Sequence, residues 1–244
     1  THWQDGQDFV IIPPGLKQGA NRRRAGEDLA EGTALFAPGQ RLRPQDIAAA
    51  ASVGAASIEC FEPLKVAILS TGDEVLEPGD DFQPGAVYDA NRPLLRGLLA
   101  GLPVEITDLG VLPDREEIVV KTIEEAARSH DVILTTGGAS RGEEDHVVTA
   151  LDRLGSRHMW QLAIKPGRPM TFGQIGDCVF LGLPGNPVAA FVCFRLYVRP
   201  ALLRLGGADW AEPRRLMLKA RFSLKSKPDR REFLRGIFAV EDDR

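Results

Sequence analysis

Residues 131–145 read Asp131-Val132-Ile133-Leu134-Thr135-Thr136-Gly137-Gly138-Ala139-Ser140-Arg141-Gly142-Glu143-Glu144-Asp145. The stretch opens as an apolar strand, breaks at two glycines and closes on three acids. Glycine lets backbone N–H groups converge without a side chain in the way. Such a concavity after a strand suits an anion, most often a phosphate. The acids downstream suit a hard cation such as Mg²⁺. An anion cradle beside a cation site points to chemistry on a phosphorylated ligand.

The surrounding chain repeats this strand-then-loop arrangement. Residues 64–70 form a continuous apolar run, as in a sheet buried on both faces. Further strands are expected over 104–111, 132–136, 160–164, 170–172 and 179–181. Helices are expected over 92–99 (Asn91 as N-cap, Pro93 in the first turn), 115–129, 147–154 and 187–205. For the second of these, Asp114 and Glu117 have capping-box spacing. Asn186 is placed to cap the last, which is apolar nearly all round and so expected to be buried, with a kink at Pro200. This alternation defines an α/β class: a mostly parallel sheet with helices on both faces and ligands at the carboxyl ends of the strands. Before it, residues 9–12 read as a strand and 44–56 as an Ala-rich helix. After it, residues 216–224 and 232–240 read as two strands of a new β-rich unit. The chain starts at Thr1 and stops just after a strand pattern, and reads as a piece of something longer.

Composition narrows the function. The 244 residues are 43% hydrophobic and 26% charged, which fits a soluble globular protein. A net charge of −4 and 7% aromatic residues argue against nucleic-acid binding and base-stacking platforms. Cys60, Cys178 and Cys193 are scattered, so neither a zinc site nor a disulfide framework follows, and a reducing cytosol is the simplest setting. No apolar run approaches 20 residues.

Four strand-end loops carry the candidate chemistry. In Ser70-Thr71-Gly72-Asp73-Glu74 the adjacent acids suit a metal, or the glycine simply makes a turn. The second loop is the 131–145 stretch, where Ser140 is either a ligand contact or a turn former. In Ile164-Lys165-Pro166-Gly167-Arg168-Pro169 two cations flank a rigid turn, either as an oxyanion clamp or as solvated bases. Gly182-Leu183-Pro184-Gly185-Asn186-Pro187 leads into a helix, so its backbone N–H groups either sit at a positive helix end that suits an anion or simply punctuate strand, turn and helix. His146 could touch the site beside Asp145. Arg22-Arg23-Arg24 reads as a solvated face, although Asn21, Gly26, Glu27 and Asp28 give it unusual company.

As an ordered set, with Asn21-Arg22-Arg23-Arg24-Ala25-Gly26-Glu27-Asp28, these loops resemble the molybdopterin molybdenumtransferase family: the bacterial molybdenum-inserting enzymes and the E domain of gephyrin. The resemblance covers essentially the whole chain. It implies the end of a small β-rich domain over 1–20, part of an elongated dimerisation region over 21–63, a molybdopterin-binding α/β domain over 64–205 and the start of a β-barrel over 206–244. It implies a homodimer, with molybdopterin adenylyltransferase as upstream partner. The implied reaction takes adenylylated molybdopterin and molybdate, releases AMP with Mg²⁺, and inserts molybdenum. Glu74, Asp114, Asp145 and Lys165 fall on the family's catalytic positions. Asp73, Glu74 and Asp145 are the implied metal ligands. Thr71, Gly72, Asp73, Gly137, Gly138, Ser140, Gly167, Arg168, Pro184 and Asn186 are the implied molybdopterin contacts. An arginine among Arg230, Arg231 and Arg235 joins Lys165 and Arg168 as a candidate for molybdate. The chain departs from the pattern at Gln161, where many members carry a base.

Four rivals stand beside this reading. The related adenylyltransferase is a stand-alone domain, which the flanking segments argue against. The competence-and-damage-inducible amidohydrolases are expected to lack the Asn21–Asp28 segment. A non-catalytic scaffold would be expected to have lost several of the acids. A generic nucleotide binder would bind AMP without depending on them.

Overall fold

The computed structural model describes residues 2–4, 7–9, 14–15, 17–137, 146–209, 212, 214–225 and 229–237. The chain divides into two compact units, one of residues 1–37 and 42–56, the other of residues 38–41 and 57–244.

In the first unit, β1 (His2–Gln4) and β2 (Gln7–Phe9) form an antiparallel hairpin with Trp3 opposite Asp8. The strand expected over 9–12 lies mostly outside the described residues. The Asn21–Asp28 segment is a series of turns. Arg23 donates to Asp28 Oδ2 at 2.8 Å, and the Arg24 N–H donates to Glu27 Oε2 at 2.7 Å. The arginine run is exposed, with its neighbouring acids organising the turn. Helix α1 (Pro44–Ser52) is shorter than expected. It ends before Gly54, whose φ of +85° does not continue a helix. Asp46 caps it, accepting the Arg43 N–H at 2.8 Å and Nε at 3.0 Å. The Arg43 guanidinium and backbone bonds hold the Asp46 carboxyl below the usual carboxylate range.

The second unit contains β3 (Leu64–Thr71), β4 (Val75–Leu76), β5 (Val87–Tyr88), α2 (Asn91–Leu99), β6 (Val104–Leu112), α3 (Glu116–Ala127), β7 (Val132–Thr136), α4 (His146–Leu154), β8 (Ser156–Gln161), β9 (Ile164–Lys165), β10 (Pro169–Ile175), β11 (Cys178–Leu183), α5 (Pro187–Cys193), α6 (Arg199–Leu205) and β12 (Arg231–Glu232). Six strands form the main sheet in the order β6-β3-β7-β11-β10-β8. The first four run parallel, and β10 runs antiparallel to both neighbours. The expected class, a mostly parallel sheet with helices on both faces, is therefore the observed one.

The sheet separates two apolar layers. On one face Val66, Ile68, Val132, Leu134, Leu181 and Leu183 pack with Leu95 and Leu99 of α2 and with Ala190, Cys193 and Phe194. On the other, Ala67, Leu69, Ile133 and Phe180 pack with Val119 and Ile123 of α3 and with Val147 and Leu151 of α4. Alternate residues of β3 thus go to opposite buried layers, which is why residues 66–69 are all apolar rather than every second one.

Several expectations are corrected. Asp114 does not cap α3; the N-cap is Arg115, without a side-chain bond. Asn91 does not cap α2 but is its first residue. Asp89 Oδ1 receives the N–H groups of Asn91 at 2.9 Å and Arg92 at 3.2 Å. The helix expected over 187–205 is interrupted by a π-helical turn at Phe194–Val198 just before Pro200, so the missing proline donor is absorbed by a change of hydrogen-bond spacing. One side of that helix is also open, with Val188 and Phe191 exposed. Finally, residues 216–224 form no strand, and Leu216, Leu218, Phe222 and Leu224 are exposed. Of the second expected tail strand, 232–240, only Glu232 is paired, in the short strand Arg231–Glu232, and residues 238–240 lie outside the described ones.

The Asn186 cap is present: Oδ1 accepts Val188 N–H at 2.9 Å and Ala189 N–H at 3.2 Å. Asn186→Ala is expected to cost about 1 kcal/mol and to lower the thermal midpoint by about 2–4 °C. An unchanged midpoint would show that the cap bonds contribute nothing net.

Candidate active site

The parallel register brings the strand ends level: Ser70 and Leu183 both lie opposite Thr136, and Thr71 lies opposite Leu112. The loops at 72–74, 113–114, 137 and 184–186 therefore emerge along one edge. The antiparallel β10 begins at that same edge, since Pro169 pairs with Gln161 and Thr171 with Gly182. The hairpin of Lys165 and Arg168 is thus on the edge as well. From β3 the chain crosses to β6 on one side, and from β7 it continues towards the other. The crevice between β3 and β7 is the switch point where ligands sit in such sheets.

At this crevice the apolar strands turn polar. Ser70, Thr71, Thr135 and Thr136 are all buried. Gly137 has φ +86°, and a Cβ there would lie 2.9 Å from Thr71 O. Its other neighbour is the loop after β11, where a Cβ on Gly185 would lie 4.0 Å from Gly137 Cα. Glycine at 137 therefore lets three loops close together. The Gly72 N–H is already bonded to Leu112 O at 3.3 Å, and two α5 donors are held by Asn186. Pro184 is buried and shapes the β11 loop from below.

The acids of two loops are tied together. Asp73 Oδ1 accepts the Asp114 N–H at 2.9 Å, which is the tertiary bond that replaces the expected cap. His146 Nε2 lies 3.9 Å from Asp114 Oδ1, bringing the start of α4 to the same place. Glu74 folds back over Gly72, where a Cβ would lie 2.6 Å from Glu74 Oε2. Asp73, Glu74 and Asp114 thus belong to one loop cluster. No group of three His, Cys, Asp or Glu is arranged for a metal among the described residues. Mg²⁺ commonly takes only one or two carboxylates and completes its shell with water and substrate phosphates. The hard oxygen donors beside a Gly137 cradle fit that ion. Gly138, Ser140 and Asp145 lie outside the described residues.

The cationic hairpin is pinned down. A Cβ on Gly167 (φ +108°) would lie 2.6 Å from Cys193 Sγ, so the turn rests directly on α5. Lys165 Nζ lies 3.0 Å from Glu232 Oε1, and Arg168 Nη2 donates to Gln161 Oε1 at 3.2 Å. Gln161, in place of a base, therefore serves as an acceptor for Arg168. Burial pushes the Cys193 thiol up to about 12, so it stays a neutral packing group.

A buried polar network that the sequence did not reveal underlies the crevice. Arg92 Nε donates to Asp89 Oδ2 at 2.8 Å and Nη1 to Asp108 Oδ1 at 2.7 Å, while Nη2 pairs with Glu77. Burial alone would push the Asp89 carboxyl up. Hydrogen bonds from the Arg92 guanidinium, the Ser70 hydroxyl and the backbone of Arg92 and Asn91 outweigh it and hold the carboxyl below the usual range. Ser70 Oγ lies 2.6 Å from Thr136 Oγ1. Either hydroxyl can donate in that pair. Asn91 Nδ2 donates to Gly185 O at 2.8 Å. Asp89, Asn91 and Arg92 thus brace the ends of β3, β7 and β11 together. The only signal in the sequence is a run of polar residues before a Pro-begun helix, which reads as capping.

An open groove of about 930 Å³ lies at the opposite edge, lined by Lys65, His130, Asp131, Asp177 and Cys178 among others. Its polar groups largely serve the fold. Asp131 accepts the Lys65 N–H at 2.7 Å, and His130 is bonded to Ala126 O at 3.0 Å and Thr107 Oγ1 at 2.9 Å.

The fold and the crevice define a doubly wound α/β domain with a polar, glycine-bordered crevice at the carboxyl edge of its sheet. Comparison with known proteins narrows the class. The family described as "Probable molybdopterin binding domain" matches residues 67–204, and "MoeA N-terminal region (domain I and II)" matches residues 3–54. The molybdopterin molybdenumtransferase of Haemophilus influenzae is 39% identical over 227 residues, covering 93% of this chain and 56% of that protein. Gephyrin of Dictyostelium discoideum is 30% identical over 83% of this chain and 32% of its own length. A crystal structure of the molybdopterin biosynthesis moeA protein from Pyrococcus horikoshii superimposes with a TM-score of 0.63 at 32% identity, over 75% of this chain and 44% of that one. The chain belongs to the molybdopterin molybdenumtransferase family. It spans about half the length of the curated molybdenumtransferases it matches. No helix among the described residues is long and apolar enough to cross a membrane.

Proposed function

We propose that the protein is a molybdopterin molybdenumtransferase of molybdenum cofactor biosynthesis, taking adenylylated molybdopterin and molybdate and releasing AMP. The observation that carries this reading is the juxtaposition at the β3–β7 crevice. A glycine cradle, with Gly137 pressed against Thr71, adjoins an acid cluster in which Asp73 is bonded to Asp114. A phosphoanhydride needs both parts: backbone donors for its oxygens and a cation for the charge that develops as it breaks. Relatives named for this transfer support the assignment.

In this reading the ligand's phosphates lie over Gly137, with Gly138 and Ser140 completing the contact. Thr71, Gly72 and Asp73 form the opposing wall. Asp73 and Glu74, with Asp145, would hold Mg²⁺, which when bound neutralises charge on the phosphoanhydride and its leaving phosphate. Asp114 orients Asp73 through its backbone and presents its own carboxylate beside His146. Lys165 and Arg168, with Gly167 fixing the turn, supply positive charge for the tetrahedral molybdate dianion, and Gln161 holds the Arg168 fork. Pro184 and Asn186 set the β11 loop. The residues brought together by direct contact are those of the acid cluster and the glycine crevice. Lys165 and Arg168 share the edge further along.

Residues 64–205 then form the molybdopterin domain, residues 21–63 contribute to dimerisation, and residues 206–244 begin a β-barrel. The protein works as a cytosolic homodimer downstream of molybdopterin adenylyltransferase. The test is AMP release from adenylylated molybdopterin with and without Mg²⁺. Release is expected to need Mg²⁺ and to fall by about 10²–10³-fold in Glu74→Gln and Asp145→Asn, the scale of losing one preorganised charge-stabilising group. Release at an unchanged rate in both variants, or without Mg²⁺, would refute the assignment.

A further inference from the structure

The tail of the chain reaches the cationic hairpin and brings a carboxylate with it. β12 lies parallel to β9 with Glu232 opposite Lys165. The Arg231 N–H donates to Ala163 O at 2.9 Å and the Phe233 N–H to Lys165 O at 2.8 Å, so backbone bonds fix the strand on either side of Glu232. Phe233 packs against the apolar layer that α2 and α5 cover. The Glu232 side chain is only 9% exposed, whereas that of Lys165, 3.0 Å away, is 61% exposed. A buried carboxylate needs a partner, and this one has the ammonium of Lys165. An ammonium carries three donors, of which Glu232 occupies one. A lysine stem otherwise spreads its charge over many rotamers.

We propose that Glu232 is a positioning residue for Lys165. It anchors the ammonium from the buried side and offsets part of its charge, so the site gives up anion affinity for a fixed location of positive charge. The proposal rests on the reading of Lys165 as a molybdate contact. It has a signature that a carboxylate with a purely structural role does not share. Removing the negative charge strengthens the attraction for a dianion, while releasing the ammonium removes the geometry that turnover requires.

The test is calorimetric titration of molybdate into the protein and into Glu232→Gln, Glu232→Asp and Lys165→Ala, with AMP release measured at varied molybdate. Glu232→Gln keeps the shape of the buried group, and its thermal midpoint checks folding. The expected result is a Kd for molybdate lowered by about three- to tenfold, the scale of one nearby screened charge, with kcat falling at least as far and Glu232→Asp recovering part of kcat. Tightened binding with a lower kcat, partly recovered in Glu232→Asp, decides for the proposal, whereas tightened binding with kcat unchanged marks Glu232 as a bystander charge and overturns it. An unchanged or weakened Kd in Glu232→Gln, with Lys165→Ala clearly impaired, overturns the positioning role alone. If Lys165→Ala binds molybdate as well as the unsubstituted protein, or neither binds it, the reading of Lys165 fails and the proposal falls with it.

Discussion

Arg92→Leu is expected to lower stability by about 3–5 kcal/mol, the cost of removing one partner from a buried ion pair. The reason is Asp89, whose side chain is 1% exposed and whose charge is met chiefly by the Arg92 guanidinium. Leucine fills similar space but leaves that carboxylate, and part of the charge on Asp108 and Glu77, without a counter-ion. Arg92→Lys should recover only part of the loss, since one ammonium does not reproduce a planar fork bonded to three carboxylates. The pH dependence has a definite sign. In the native protein the Asp89 carboxyl is held below its ordinary value. It therefore contributes stability that is fully present above the unfolded value of about 4 and is lost as pH falls through the folded value. In Arg92→Leu the compensating guanidinium is gone and burial raises the carboxyl instead, so acidification relieves the variant. Urea denaturation should show the gap between the two proteins wide at pH 7 and narrower near pH 4. An equal gap at both would show that Asp89 is not the charge Arg92 serves.

The second large effect is on binding. Gly137→Ala is expected to weaken adenylylated molybdopterin by about two orders of magnitude, the loss of one or two charge-assisted hydrogen bonds at roughly 1.5–3 kcal/mol each. Alanine at φ +86° is strained by about 1–2 kcal/mol, and its Cβ would lie 2.9 Å from Thr71 O, so the crevice has to open. Gly185→Ala is the matched control. It adds the same methyl on the neighbouring loop, where nothing lies closer than 4.0 Å, and should change affinity by less than about tenfold, within 1.4 kcal/mol. Calorimetric titration compares them. Equal, small losses in both would place the phosphates away from the β3–β7 crevice.

Much of this architecture is legible in the sequence because burial on both faces leaves a simple mark. β3 and β7 are continuous apolar runs ending in Ser-Thr and Thr-Thr, and their limits agree with expectation to within a residue. The Asn186 cap is legible because it is local: an asparagine before a proline at a helix start has one favourable use. Where the sequence misleads, a tertiary bond outcompetes a local one. Asp114 has the spacing of a capping box, yet its N–H is taken by Asp73, 41 positions away. The alternation over residues 216–224 has strand character but is paired with no strand among the described residues, and pairing is what makes a strand. The bracing of the site is least legible. Arg92 looks like an ordinary helical arginine but is 5% exposed, and Glu232 meets Lys165 across 67 positions. The candidate site residues lie in recognisable loops, whereas those that hold them in place are scattered and take meaning only from packing.

In the proposed function the phosphates of the substrate lie at the carboxyl ends of β3 and β7, between Gly137 and the Asp73–Asp114 cluster. The most direct measurement is a crystal structure of the protein with adenylylated molybdopterin, or a non-hydrolysable analogue of it, and Mg²⁺. The predicted result is a phosphate within hydrogen-bond distance of backbone N–H groups in the turn beginning at Gly137, with the acids of the 73–74 loop on the metal side. A ligand seated in the groove at the opposite edge, among Lys65, His130 and Asp177, would contradict the account.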